Sequence, residues 1–220
     1  MSQTFFSILP LAIASAISVT SILLFLAILV SADNQVRNGF AFITGGVIMC
    51  AIITIFVLFP FLKSSSGTPV NYTLHAVIDF GLAAVCLIIV FITILHWNKP
   101  AKPREGAASG GFFKYLMLGA LIRLVSANAV PPFIGAVKDV SMAQLSFINN
   151  IILSAAIILI AMSTIILPYL LFLFNKQRAL KLIAPVSLFL KRNKNIINTV
   201  MLLLVMAYLT FHGVMHLNGK

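Results

Sequence analysis

The chain has 220 residues, of which 61% are hydrophobic and only 9% charged, and its mean hydropathy is +1.11. Soluble domains contain about 45–50% apolar and about 25% charged residues, so this composition cannot cover a water-facing surface. It excludes a soluble enzyme, a nucleic-acid-binding domain and a disulfide-stapled secreted module. The net charge of +11 comes from lysines and arginines between apolar runs, where they are typical of topology signals rather than of nucleic-acid contacts. The sequence therefore predicts an integral membrane protein whose first partners are membrane lipids.

Six apolar segments have the length, about 20 residues, that an α-helix needs to cross the hydrocarbon core. In chain order they are residues 4–30, 39–62, 74–97, 112–130, 146–174 and 195–217. The first is expected to be one continuous, retained helix, because no basic residue precedes Arg37 as a signal peptide would require. Pro131 and Pro132 are expected to end the fourth helix and to act as a helix break or gate, since each ring removes a donor and clashes with the preceding turn. The expected fold class is an all-α polytopic membrane protein with six transmembrane helices.

Short motifs recur in the same order in the two halves of the chain. The matched pairs are Phe5-Phe6 with Phe112-Phe113, Phe59-Pro60 with Leu167-Pro168, and Leu95-His96 with Met215-His216. They predict two repeats of three helices each, residues 1–97 and 112–220, joined by a linker at 98–111 that is rich in proline, glycine and alanine. An odd number of helices per repeat gives the two copies opposite orientations, which is the inverted-repeat architecture of many transporters.

The basic residues also predict an orientation. If six helices cross the membrane, the loops on one side carry eleven lysines and arginines and those on the other carry three, including Lys138. The positive-inside rule then places both termini outside the cytoplasm of a bacterial or archaeal cell, with the 98–111 linker in the cytoplasm. Residues 176–194 combine apolar and basic side chains. They fit either a segment lying on the anionic inner leaflet or a plain basic loop.

Arg123 is the most informative single residue of the sequence. It lies in the middle of the fourth apolar segment, about 16 Å from Phe112 at 1.5 Å per residue. A guanidinium there costs about 2.5–3.5 kcal/mol on insertion scales, so it must face protein, water or an anion. Asp79 is the only acidic residue within any predicted span. Two interpretations stay open: a structural Arg123–Asp79 ion pair, in which Asp79 is also the candidate for proton coupling, and an anion-binding role for Arg123.

Small polar residues surround Arg123 and its repeat-related positions. They are Ser126 and Asn128 in the fourth segment, with Ser18 and Ser21 in the first. Such residues either mediate helix packing or line a polar substrate site near the midplane of the membrane. Gly45 and Gly46 of the second segment are expected to allow close contact between helices.

Neither enzymatic nor metal chemistry is expected. No catalytic triad, phosphate-binding loop or paired-carboxylate pattern occurs, so the chain is not expected to be an enzyme or to need a cofactor. His212 and His216 have the spacing of metal ligands on a helix, but no acidic or thiol partner is close in sequence, so no metal site is expected. Cys50 and Cys86 lie within apolar segments and are expected to be buried free thiols.

Three stretches resemble the lysine-exporter (LysE) superfamily, and within it the branch of peptidoglycolipid- or sulfolipid-addressing (GAP) proteins. They are residues 9–16 (LPLAIASA), the run Leu118-Gly119-Ala120-Leu121 leading to residues 126–131 (SANAVP), and Arg178-Ala179-Leu180 followed by a basic stretch and a last helix closing on Gly213. The Pro-Gly-Pro motif of amino-acid exporters, the helix cysteines of redox relatives and the acidic and histidine motifs of heavy-metal relatives are missing. The resemblance implies export or translocation of a lipid or glycolipid across the bacterial inner membrane.

Three functional hypotheses follow. In the first, the protein translocates a polar or anionic lipid, with Arg123, Ser126 and Asn128 at the headgroup. In the second, it exports a small hydrophilic solute such as an amino acid. In the third, it is a membrane scaffold that transports nothing and docks a partner through the basic surface of residues 176–194. Arg123 is then permanently paired with Asp79. The sequence leaves the substrate, the coupling ion and homo-oligomerisation open.

Overall fold

A computed structural model describes residues 2–31, 34–62, 72–95, 111–126, 128–143 and 145–217. In this part of the chain the structure consists of helices and short connections, which confirms the predicted all-α class. The helices are α1 (Ser2–Ala16), α2 (Val19–Ser31), α3 (Gln35–Leu62), α4 (Tyr72–Leu95), α5 (Phe112–Val125), α6 (Val130–Met142), α7 (Phe147–Phe174) and α8 (Lys176–Leu217). The predicted linker lies outside the described residues, apart from Gly111.

Four helices, α3, α4, α7 and α8, are each long and apolar enough to cross a membrane. The pairs α1–α2 and α5–α6 meet the same test only when each pair is taken together, which gives up to six spans. Large apolar side chains face outward along the long helices, among them Phe56 (76% exposed), Phe91 and Leu159. Because so much outward apolar surface is compatible with lipid and not with water, the structure is that of a multi-pass membrane protein.

The first predicted span is not one continuous helix. It breaks after Ala16, and α2 starts at Val19 with its axis bent by 54° from that of α1. No proline or glycine stands at this break, so the sequence carried no conventional signal for it. Side chains from the second half of the chain bond to the backbone at this break and stabilise it.

The fourth predicted span ends earlier than expected and is followed by a second helix. α5 stops at Val125, and Pro131 and Pro132 lie in the first turn of α6 rather than at the end of α5. Proline suits a helix's first turn, because the N–H that it lacks would have no partner there and its fixed φ is already helical. The α5 and α6 axes differ by 80°. The prolines therefore start a helix, and the break itself lies at residues 126–129.

Helices α3 and α5 approach each other so closely that two glycines touch backbone. A Cβ atom added to Gly45 would lie 1.9 Å from the Leu116 carbonyl oxygen, and one added to Gly119 would lie 2.1 Å from the Phe42 carbonyl oxygen. Only a residue without a side chain fits at either position. The expected role of Gly45 in close helix contact is confirmed, and Gly119 is its counterpart on α5.

Residues 176–194 and the predicted sixth span form a single helix. α8 runs through Pro185 for 42 residues, about 63 Å at 1.5 Å per residue. The alternative of a plain basic loop was therefore wrong, and a segment lying on the inner leaflet stays a prediction. Proline removes one backbone hydrogen bond, but no glycine or cluster of turn-forming residues accompanies Pro185 to end the helix. Lys181 and Arg192 are exposed on this part of α8.

Candidate functional site

The two helix breaks meet in the interior of the protein. Ser18, from the break between α1 and α2, donates a hydrogen bond to the Ser126 hydroxyl oxygen at 3.2 Å. The Ser21 hydroxyl lies 2.8 Å from that of Ser18 and 3.0 Å from that of Ser126. All three serines are buried. The predicted polar residues Ser18, Ser21 and Ser126 thus form one cluster, which joins the two halves of the chain.

Side chains from the second half bond to the backbone that the first break exposes. Helix termini leave carbonyl groups without intrahelical partners, and a membrane interior has no water to satisfy them. Three successive carbonyls at the end of α1 receive side-chain donors: Ser15 O from Arg123 Nη1 at 3.0 Å, Ala16 O from Thr164 Oγ1 at 2.6 Å, and Ile17 O from Asn128 Nδ2 at 3.2 Å. Asn128 also donates to Asn198 Oδ1 on α8 at 2.9 Å. The break is therefore held open by the second half.

Replacing Thr164 with valine should lower the free energy of unfolding by about 1 kcal/mol, because a hydrogen bond to a buried carbonyl is lost while the side-chain volume is kept. Thermal unfolding in lipid nanodiscs would measure this. Thr210→Val is the matched control, since Thr210 is exposed and bonds Met206 O within its own helix. Equal effects in the two variants would contradict a special role for Thr164.

Arg123 is buried between the two breaks, with 3% of its surface exposed. Its Nε donates to Cys50 Sγ at 3.1 Å, Nη1 donates to Ser15 O, and the guanidinium lies 5.4 Å from the centre of the Phe133 ring. Nη2 has no hydrogen-bond partner among the described residues, and no described carboxylate forms an ion pair with Arg123. The site thus presents a desolvated cation with one unused donor group, which is an arrangement suited to an anion.

Of the two open interpretations of Arg123, the ion pair with Asp79 is not the one that the structure contains. Asp79 lies on α4 and is fully buried, and its Oδ1 pairs with the ammonium of Lys138 on α6. Lys138 also lies 3.2 Å from Asp139 Oδ1. From the sequence, Lys138 was predicted to be a loop charge, and Asp139 was not recognised as an acid within a span. Both errors arose because residues 133–145 were not assigned to a span, so the burial of α6 went unrecognised.

Two histidines of α8 face the other oxygen of Asp79. Asp79 Oδ2 lies 3.9 Å from His212 Nδ1 and 3.7 Å from His216 Nε2. The acidic partner that these histidines lack nearby in the sequence is Asp79, which lies on a helix more than a hundred residues away. The three potential ligand atoms lie within 4.8 Å of one another, as the donor set of a metal site would. We call Asp79, Lys138, Asp139, His212 and His216 the α4–α6–α8 polar cluster.

The structure thus divides the predicted site residues between two places. The helix breaks bring together Arg123, Ser126, Asn128, Ser18 and Ser21. Pro131 lies in the first turn of α6, which follows the second break. Asp79 belongs instead to the α4–α6–α8 polar cluster. Thr164 and Asn198 join the break site without having been predicted, since neither differs in sequence from the many small polar residues of membrane helices. The two cysteines are buried free thiols, as expected.

The chain matches the model of a known protein family. The family model described as "Sap, sulfolipid-1-addressing protein" matches residues 8–215. Searches of curated proteins and of solved structures find no significant match. The matched range takes in both helix breaks, Arg123 and every residue of the α4–α6–α8 polar cluster except His216. Because the match extends over nearly the whole chain, this protein belongs to the Sap, sulfolipid-1-addressing protein family.

Proposed function

We propose that the protein is a non-enzymatic transporter that moves an anionic lipid, one with a sulfate or phosphate group in its headgroup, across the cytoplasmic membrane of a bacterial or archaeal cell. The observation that carries the proposal is the buried Arg123 guanidinium, which has an unused donor at Nη2 and no carboxylate partner among the described residues. The acidic residues Asp33 and Glu105 lie outside those residues. A family named for addressing a sulfolipid fits a site that needs an anion.

The headgroup would bind where the two helix breaks meet. Arg123 would supply the charge-assisted hydrogen bond. The hydroxyls of Ser18, Ser21 and Ser126, which bond to one another in this structure, would add weaker bonds by turning toward the headgroup. Arg123 Nη1 and Asn128 already hold the carbonyls of the first break. A bound headgroup would therefore contact Arg123, one of the groups that hold the junction of α1 and α2.

Movement of the lipid requires the site to open to each side of the membrane in turn. We propose that the two halves are inverted repeats that rock against each other, as in other transporters with broken helices. In support of this, each half begins with a bent helix pair and continues with two long helices in the same order. The hydrogen-bonded residues Ser18 and Ser126 are 108 positions apart, which is close to the separation of the matched motifs at Phe5 and Phe112 and equal to that at Phe59 and Leu167. The excess of basic residues on one side still predicts extracytoplasmic termini, although the buried Lys138 is no longer one of the loop charges. Membership of the lysine-exporter superfamily also stays a prediction.

Translocation in proteoliposomes tests the proposal. A fluorescent sulfated glycolipid is placed in both leaflets, and its exposure is followed by quenching from outside. Arg123→Gln should slow its translocation about 10- to 100-fold, because a hydrogen bond to a charged group contributes about 1.5–3 kcal/mol. Arg123→Lys should retain part of the rate, since it keeps the charge and loses the fork geometry. Arg192→Gln, at an exposed position of α8, is the matched control and should keep the wild-type rate.

The same liposomes separate the competing hypotheses. A neutral glycolipid with the same acyl chains should move more slowly than the sulfated one. Equal rates for the two lipids, or a wild-type rate for folded Arg123→Gln, would overturn the proposal. Counterflow of a labelled amino acid without lipid movement would identify a solute exporter instead. One feature that the scaffold hypothesis predicts, an ion pair between Asp79 and Arg123, is not observed, because Asp79 pairs with Lys138.

A further inference from the structure

Two histidines, His212 and His216, lie on one face of α8, where both could contact the same ligand. His212 and His216 are four residues apart, so their side chains project from successive turns of the same helix face. Their rings are 4.7 Å apart between centres and nearly perpendicular, at 85°. The Tyr208 ring stacks on the His212 ring, with 5.4 Å between the ring centres. This pair is the geometry by which a helix presents two imidazole nitrogens to a metal ion.

Asp79 supplies a third donor atom from a different helix. Lys138 occupies Oδ1, whereas no described group donates a hydrogen bond to Oδ2, which faces both histidines. A zinc ion held at about 2.0–2.2 Å by tetrahedral N and O ligands has ligand atoms about 3.4 Å apart. The distances of 3.9 Å and 3.7 Å from Oδ2 to the histidine nitrogens exceed this by a few tenths of an ångström. All three donor atoms lie within 4.8 Å of one another, so rotations of the side chains would have to bring them closer to close the site.

The net charge of the α4–α6–α8 polar cluster also favours a bound cation. With neutral imidazoles, the two carboxylates of Asp79 and Asp139 face the single ammonium of Lys138, which leaves one buried negative charge. An unbalanced charge is expensive within a membrane protein. A divalent ion with one anionic fourth ligand, such as chloride or hydroxide, brings the cluster to neutrality. Two imidazoles and one carboxylate favour zinc and similar transition metals over magnesium or calcium.

We propose that Asp79, His212 and His216 bind a divalent transition-metal ion of the zinc class, with a fourth position for a small anion. The ion joins α4 of the first half to α8 of the second. Lys138 orients the carboxylate by holding its other oxygen, as groups behind metal ligands commonly do. This site is separate from the anion site at Arg123, so it stands or falls independently of lipid transport.

Metal binding by the purified full-length protein in nanodiscs tests this proposal. Metal-stripped protein is titrated with Co²⁺, whose visible absorption reports tetrahedral coordination by N and O ligands, and then dialysed against Zn²⁺ for elemental analysis. The wild type should bind one ion per chain and show the cobalt bands. His212→Ala combined with His216→Ala should weaken binding at least about 100-fold, because two of three ligands are lost. His75→Gln is the matched control, since His75 is a buried histidine of α4 outside the three ligands, and it should bind as the wild type does.

A second measurement guards against misfolded variants. Zn²⁺ should raise the unfolding temperature of the wild type and of His75→Gln, but not of the double variant, because a ligand stabilises only the state that binds it. The unfolding temperature without metal reports whether each variant is folded. Failure of the wild type to bind Zn²⁺ or Co²⁺, or undiminished binding by the folded double variant, would overturn the proposal.

Discussion

Lys138→Met should lower the free energy of unfolding by about 3–5 kcal/mol, the usual cost of removing one partner from a buried ion pair. The lysine is 1% exposed and is the only ammonium that neutralises the carboxylates of Asp79 and Asp139 among the described residues. Without it, two negative charges remain buried at the junction of α4, α6 and α8. Reversible unfolding in detergent or nanodiscs measures the loss.

Two further variants show whether charge, rather than volume, causes this loss. Lys181→Met makes the same replacement at an exposed position of α8 and should change the free energy by no more than about 0.5 kcal/mol. Adding Asp79→Asn and Asp139→Asn to Lys138→Met removes all three charges and should recover part of the stability. A triple variant less stable than Lys138→Met alone would contradict the electrostatic explanation.

Gly119→Ala should destabilise the protein by about 1–3 kcal/mol, the range for forcing an extra methyl group into a close-packed contact. Its Cβ would lie 2.1 Å from the Phe42 carbonyl oxygen, and because that atom is backbone, the helices themselves must separate. Separation would displace α5, the helix that carries Arg123. We therefore expect lipid translocation to fall together with the unfolding temperature.

Gly81→Ala on α4 is the matched control, because a Cβ at that position meets nothing within 4 Å. Alanine is the better helix former by about 1 kcal/mol, so this variant should be neutral or slightly stabilised. Gly45→Ala should resemble Gly119→Ala, since its Cβ would lie 1.9 Å from Leu116 O at the same contact. The two effects should be less than additive when combined, because one separation of the helices relieves both clashes. Equal stability of Gly81→Ala and Gly119→Ala would show that the helices do not approach as closely as described.

One short helix connects the two charged sites of the protein. Phe133 of α6 lies against the guanidinium of Arg123, and Lys138 of the same helix pairs with Asp79. These two residues are about 7.5 Å apart along the helix axis at 1.5 Å per residue. A shift of α6 would therefore act on the anion site and on the α4–α6–α8 polar cluster together.

The polar residues of the break site could be predicted from the sequence, whereas the partners of the charged residues could not. Arg123, Ser126 and Asn128 stood out because charged and polar side chains are rare and costly in apolar helices. Asp79 stood out for the same reason, but the one cation considered for it was Arg123, whereas Lys138 is its partner. With few acids and bases in the spans, Arg123 was the obvious candidate, and only the burial of α6 revealed Lys138 as the partner.

The amino-acid sequence by itself determined that this is a helical membrane protein, because hydropathy and helix length follow directly from local composition. It also determined which residues are too polar to face lipid. The tertiary structure decided where the helices break, which carbonyls each break exposes and which side chains bond to them, because these contacts join residues about a hundred positions apart. It likewise brought Asp79 to His212 and His216, since packing of α4 against α8 depends on the whole helix surface and not on any local pattern.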